Sequence, residues 1–306
     1  LTEEEDIMNN AELIRELRAL TSAGMKDCRD ALEESAWDLQ KAVDIVKIKG
    51  LNIADGRTGR VASEGKVGIL FTSPTEPAHI VEINCQTDFV ANSDGFKKFA
   101  AITLTKLGEV GPTFTAAMVE GDRKELVSTT KENIVVRRWQ TITPAAFSPL
   151  TRVFGYQHSN AKLGVLMVLQ ASNEAVANSP ELQILGEDLA MQACAMNPIA
   201  VSPESVPQEE KDRQKVIFET QLQEEKKPEK MWTKILEGKF RKWNSEVCLL
   251  EQDSVVVEKT AVKQVVKNVG TKLGGEIQVL SFVRYQAGEG IEKKQDNLAE
   301  EVAKMM

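Results

Sequence analysis

The sequence predicts an α+β fold. It reads as an N-terminal three-helix bundle, two similar core subdomains each pairing a small antiparallel sheet with a helical layer, a helical hairpin inserted in the second, and a C-terminal helical module. Three observations predict it. Apolar residues recur at helical spacing through residues 11–46. The string Lys66-Val67-Gly68-Ile69-Leu70 returns as Lys162-Leu163-Gly164-Val165-Leu166. A heavily charged segment with helical periodicity interrupts the second copy at residues 203–244. At 306 residues, 42% of them hydrophobic, the chain can bury the cores of two or more domains.

The bundle occupies residues 9–50. Leu13, Ile14, Leu17 and Leu20 form one apolar stripe, with Asn10 as the expected N-cap; Thr21-Ser22-Ala23-Gly24 breaks the pattern. Met25, Cys28, Ala31 and Leu32 make the second stripe. Leu39, Ala42, Val43 and Val46 make the third, closed by Gly50. The whole is about the size of a ubiquitin-associated domain. Residues 51–65, with Asp55-Gly56 and Thr58-Gly59, read as a linker.

Core subdomain 1 is expected over 66–148, and subdomain 2 over 149–202 and 245–286. In each, a strand leads through a loop to an apolar-striped helix, Phe96 to Leu107 and Leu182 to Met196. Each then has a β-rich run bearing arginine, Ile134 to Trp139 and Val279 to Arg284. Within 203–244, Pro228 splits two helical stretches into an expected antiparallel hairpin. Such a hairpin is either a stable decoration or, through exposed tryptophans, a surface for forming a homodimer. Residues 287–306 start with a Gly-rich, charged turn and end in a short amphipathic helix, marginal alone, that must dock on this chain or a partner.

The candidate site lies where the apolar strand His79-Ile80-Val81-Glu82-Ile83 ends. Asn84-Cys85-Gln86-Thr87-Asp88-Phe89-Val90 follows, and Ser93-Asp94-Gly95 offers capping chemistry for the next helix. Asp88 and Phe89 therefore sit on a strand-to-helix connection, where function concentrates. Periodicity alone favours a Phe89 tucked into the core.

The charge balance, 46 Asp+Glu against 38 Lys+Arg, disfavours a nucleic-acid backbone as partner. No apolar run is long enough to span a bilayer, so no membrane role is expected. Four isolated cysteines, 28, 85, 194 and 248, show neither zinc spacing nor CxxC pairing and read as reduced, buried residues. Phosphate cradles of the GxxxxGK[ST] or GxGxxG type, GxSxG elbows and HExxH motifs are missing from the sequence, so no cofactor, metal or catalytic residue is assigned. Gly288-Glu289-Gly290 is too short and acidic to hold phosphate. Of the two histidines, His79 is expected to be exposed and His158 to sit on a turn. A Cys85/His158 nucleophilic pair is the enzyme alternative, with no third orienting group visible in the sequence.

Leu17-Arg18 with Thr21 to Cys28, Val81 to Val90, Gly155-Tyr156-Gln157-His158 and Gly288 to Lys293 together resemble the elongation factor Ts family. The resemblance runs over nearly the whole chain. It implies a ubiquitin-associated-like N-terminal bundle and a guanine-nucleotide exchange factor acting on elongation factor Tu, GDP-bound and nucleotide-free. It implies that Thr87, Asp88, Phe89 and Val90 form the exchange loop, with Phe89 an exposed wedge beside the partner's magnesium site. It assigns partner contacts to Arg18 and Met25 in the bundle, to His158 in the second subdomain, and to Ile291 and Val302 in the C-terminal module. The chain departs from the family's usual pattern at Ser22, Lys26 and Thr130-Lys131. A bacterial cytoplasm is the expected setting, the alternative being a mitochondrial or chloroplast matrix after removal of a leader preceding Leu1. The competing function is a scaffold whose bundle binds ubiquitin-like or nascent-chain partners.

Overall fold

A computed structural model describes residues 3–21, 23–46, 48 and 60–292. Within them the chain mixes helices with two three-stranded antiparallel sheets. Contacts group it into two compact units. One runs through Gly68 and includes Val81–Trp139 and the residues from Gln286; the other comprises Ile69–Ile80 and Gln140–Tyr285.

Helices α1 (Glu3–Thr21), α2 (Met25–Glu34) and α3 (residues 39–46) surround a core of Leu17, Cys28, Ala31, Leu32, Ala42 and Val46. Two expectations fail here. Asn10 lies inside α1 (Glu3–Thr21) instead of capping it. Leu20 and Met25 leave the apolar stripe and are 63% and 61% exposed. Gly50 and most of the expected linker, 51–59, lie outside the described residues.

The first sheet has the order β1 (Glu64–Leu70), β2 (Ala78–Cys85), β3 (Val135–Ile142). Every residue of the central strand β2 is buried. Beyond it come the short helix α4 (Asp88–Asn92), then α5 (Asp94–Val110) and α6 (Glu120–Thr130). Phe96, Phe99 and Leu107 of α5 pack with Val81, Ile83 and Cys85 of β2, and Phe114 meets Trp139 edge to face at 5.2 Å. His79 is buried, contrary to expectation. Its Nδ1 lies 2.9 Å from Thr141 Oγ1, and burial pushes its pKa down.

Glu82 on β2 is wholly buried and ionically paired. It accepts from Arg138 Nε, from Arg137 Nη1 at 2.9 Å and from the Gly288 N–H at 2.8 Å. Arg137 also donates to the Glu289 carbonyl at 2.6 Å, and Arg138 to the Glu289 carboxylate at 3.0 Å. Gly288 has φ +78°, and a Cβ there would lie 2.0 Å from the Ser63 carbonyl oxygen, so the close approach requires glycine. The Gly-Glu-Gly stretch is thus a clasped turn.

The second sheet has the order β4 (Thr151–Gln157), β5 (Leu163–Ala171), β6 (Ile277–Gln286). β4 and β5 are antiparallel, with Thr151 opposite Gln170 and Gln157 opposite Gly164. Helices α7 (Glu174–Ala177) and α8 (Pro180–Met196) follow β5. The repeated string is misregistered: Lys66–Leu70 belongs to the edge strand β1, whereas Leu163–Leu166 opens the central strand β5, so β2 and β5 are the true counterparts. The Gly155-Tyr156-Gln157 stretch is the end of strand β4.

Helices α9 (Gln208–Glu224) and α10 (Trp232–Val247) pack together, with Phe218 edge to face on Phe240 at 5.3 Å. Trp232 and Trp243 are half-buried rather than exposed. Trp232 Nε1 donates to the Lys227 carbonyl at 2.9 Å, and Trp243 packs on a small core of Ala200, Val206 and Cys248. The tryptophans therefore give no support to self-association. Helix α11 (Val262–Lys272) completes the second core.

Candidate functional site

The Thr87–Val90 segment is a capped turn. Thr87 is extended (φ −122°, ψ 154°), and its hydroxyl accepts the Val90 N–H at 3.3 Å, so it N-caps α4. Asp88 opens α4, and its carbonyl accepts from Asn92 Nδ2 at 2.9 Å. Ser93 closes the turn twice over: its hydroxyl donates to the Val90 carbonyl at 2.7 Å and accepts the Phe96 N–H at 3.3 Å, capping α5. Two caps within seven residues leave this segment little freedom.

Thr87 and Asp88 are exposed, and Val90 is half-buried against the core below. Phe89 is 84% exposed, which overturns the tucked reading that periodicity favoured. Leaving it in water forgoes about 1.5–3 kcal/mol of burial.

The backbone leading into the turn is held by Glu132, 45 residues away. Its Oε2 accepts the N–H groups of Gln86 and Thr87, both at 3.0 Å, and its Oε1 accepts the Thr87 hydroxyl at 2.6 Å. Sequence patterning did not single out Glu132 as a site residue. No local signal marks it, because all its partners lie on another element. Cys85, just before the turn, is fully buried; burial pushes its thiol pKa up to about 12, and Sγ donates to the Thr87 carbonyl at 3.1 Å. Such a thiol is not a nucleophile at neutral pH, which removes the Cys85/His158 alternative.

The remaining residues singled out by the resemblance fall elsewhere. Arg18, in the last turn of α1, is exposed, as is Met25 at the start of α2. His158 is exposed on the turn joining β4 to β5, where its N–H donates to the Leu163 carbonyl at 3.0 Å. Ile291 is half-buried just after the clasped turn, its N–H donating to the Gly288 carbonyl at 3.1 Å. Val302 lies outside the described residues. Among the described residues, no group of three or more His, Cys, Asp or Glu is placed to hold a metal ion, and no helix is long and apolar enough to cross a membrane.

Phe89 is thus an exposed aromatic on a turn whose backbone is hydrogen-bonded at both ends. Residues 86–289 match the family described as Elongation factor TS. The chain is 41% identical to elongation factor Ts of Symbiobacterium thermophilum over 296 residues, 95% of this chain and 96% of the relative. It is 37% identical to that of Bdellovibrio bacteriovorus over 308 residues, 97% and 98% of the two chains. With that of Clostridium perfringens the identity is 36% over 308 residues, 97% and 99%. The chain belongs to the elongation factor Ts family, proteins of translation elongation.

Proposed function

We propose that the protein is the guanine-nucleotide exchange factor of elongation factor Tu and that the Thr87–Val90 turn acts on the partner's magnesium and phosphate site. The observation that carries this reading is Phe89, 84% exposed at the tip of a turn whose backbone is already fixed. A rigid wedge loses little conformational entropy on insertion. Magnesium holds a nucleotide through phosphate oxygens and ordered waters in a strict octahedron, so small displacements weaken it. Burying Phe89 only in the nucleotide-free partner stabilises that state by about 1.5–3 kcal/mol, roughly tenfold or more in its population. By linkage, GDP must then weaken binding of the factor by the same ratio. Asp88 adds a directional acceptor.

Arg18 and Met25, exposed on the bundle, supply a second contact with the partner; His158, Ile291 and Val302 supply others. In this reading the chain is organised as a ubiquitin-associated-like bundle, two core subdomains, an inserted hairpin and a C-terminal module, and it holds no nucleotide or cofactor of its own. The bacterial relatives support a bacterial cytoplasm as the setting. A bundle-only scaffold is not favoured, since the family match starts at residue 86, beyond the bundle.

Release of fluorescent GDP from elongation factor Tu tests the proposal. The wild-type chain is expected to accelerate it strongly, and Phe89→Ala to reduce the acceleration by about tenfold or more without loss of fold. A folded wild type that leaves release unchanged sinks the reading.

A further inference from the structure

We propose that Glu132 is a positioning residue for nucleotide exchange: its carboxylate holds the Thr87–Val90 turn in the conformation that presents Phe89. This rests on the reading that the turn acts on elongation factor Tu. Three donors, two backbone N–H groups and one hydroxyl, converge on one carboxylate at 2.6 to 3.0 Å. A carboxylate suits that arrangement because it has only acceptors, and its charge strengthens each bond. An amide in its place would carry no charge and would turn its NH2 toward the Thr87 hydroxyl, which would then have to accept rather than donate, so the grip would be weaker though not abolished.

The next residue completes the grip. The Asn133 N–H donates to Gln86 Oε1 at 2.9 Å, and Asn133 Nδ2 donates to the Arg60 carbonyl at 2.8 Å. Gln86 is thus held through both its backbone and its side chain.

The second sheet shows what the fold alone needs here. After β5, the Ser172 N–H donates to the Glu276 backbone carbonyl at 2.9 Å, and Ser172 Oγ accepts the Glu276 N–H at 2.8 Å. That connection is closed without any carboxylate. The Glu276 N–H meets the Ser172 side chain as the Asn133 N–H meets that of Gln86, so the position matching Glu132 is Gly275, where a Cβ would lie 2.6 Å from Ser172 Oγ and a side chain has no room. The residue matching Phe89 in the same connection is Ala175. A displayed aromatic and a carboxylate brace occur together in the first connection and are both missing from the second, which assigns Glu132 to the use of the turn rather than to closing the sheet.

Two measurements on the full chain test this: amide hydrogen exchange of Gln86 and Thr87 in the free protein, and GDP release from elongation factor Tu over a range of factor concentrations. Glu132→Ala should speed exchange of those two amides about tenfold, and Glu132→Gln, which keeps one acceptor oxygen but loses the charge, by about threefold. Each should lower the maximal release rate by a similar factor, with the half-saturating concentration kept within about twofold. Protection of the α5 amides reports that the fold is intact, and if Glu132→Ala is unfolded, Glu132→Gln, of equal size, decides. Glu132→Asp should restore part of the rate. Unchanged protection at Gln86 and Thr87, or faster exchange there with an unchanged release rate, overturns the proposal while leaving the exchange function standing. A wild-type chain inactive toward elongation factor Tu overturns both.

Discussion

The two strand-to-helix connections are built to one plan and differ where it matters. In the first, Thr87 caps α4 and Ser93 caps α5; in the second, Asn173 caps α7 and Ser179 caps α8. Ser93 and Ser179 each also donate to the carbonyl of a valine three residues earlier, Val90 and Val176, at 2.7 and 2.9 Å. The buried faces correspond through the following helices: Phe96, Phe99, Thr103 and Leu107 against Leu182, Leu185, Leu189 and Ala193. With this register Phe89 matches Ala175, Glu82 matches Val168 and Cys85 matches Ala171. The same fold therefore forms with a methyl in place of the aromatic and with an apolar residue in place of the buried carboxylate. What the first connection adds is not required by its architecture.

The largest effect is expected at Glu82. Its match Val168 is a fully buried valine, whereas Glu82 is buried with two arginines about 30% exposed. Glu82→Ala removes the acceptor that Arg137, Arg138 and the Gly288 N–H share, leaving the arginines only their Glu289 and Gln286 contacts, and should lower unfolding free energy by about 3 kcal/mol, the low end for a broken buried pair. Urea denaturation measures it. A loss under about 1 kcal/mol would mean that water replaces the carboxylate freely and the clasp is ornamental.

Next comes the turn itself. Replacing Asp88-Phe89 by the residues of the second connection, D88E with F89A, should cut stimulated GDP release about tenfold or more while shifting stability by no more than about 0.5 kcal/mol. The reciprocal change, Ala175→Phe, should alter neither. If D88E/F89A unfolds the protein, Phe89 is structural after all and the likeness of the two connections is superficial.

Much of this plan was legible. The apolar stripes marked α5 and α8, and density of β-branched and apolar residues marked β2, β3 and β6, because those elements bury one face or both against a core. Phe89 was not legible from pattern: periodicity sent it inward, and the motif Asn84 to Val90 corrected that through family resemblance. Long-range partners explain the other misses. His79 finds Thr141 and Glu82 finds Arg137, Arg138 and Gly288, at separations from 55 to 206 residues. Helix α6 buries only Leu126 and Val127, too few to print a stripe. The string shared by β1 and β5 misled because edge and central strands can carry the same short apolar motif.

Cys85 against Ala171 predicts a smaller, pH-dependent difference. The thiol's ordinary value is 9.0 and in the fold it is pushed up to about 12. Above pH 9 the unfolded chain loses this proton while the folded chain keeps it. The full stability is therefore present below pH 9 and declines above it, by up to about 1.4 kcal/mol per pH unit until the folded value is reached. Cys85→Ala should flatten that part of the stability profile between pH 9 and 10.5, although the truncation itself lowers the plateau. An unchanged slope would show that the thiol ionises in the native state through local opening.

The smallest effect concerns Lys131, whose match is Gly274. Both follow a helix with positive φ, +59° and +72°. Lysine in that region is strained by roughly 1 kcal/mol relative to glycine. Against this, Lys131 Nζ reaches Asp27 Oδ2 at 3.0 Å, and both side chains are more than a third exposed, so the pair returns only about 0–1 kcal/mol. Lys131→Gly should therefore change stability by less than about 1 kcal/mol, and adding salt, which screens the ion pair but not the backbone strain, should move the balance toward the glycine variant. Asp27 is on the same helix as Met25, two residues away. If the ion pair holds the bundle ready for the partner, Lys131→Gly should raise the half-saturating concentration for GDP release about two- to threefold and leave the maximal rate intact. A fall in maximal rate instead would mean that the lysine acts on its neighbour Glu132, and through it on the turn.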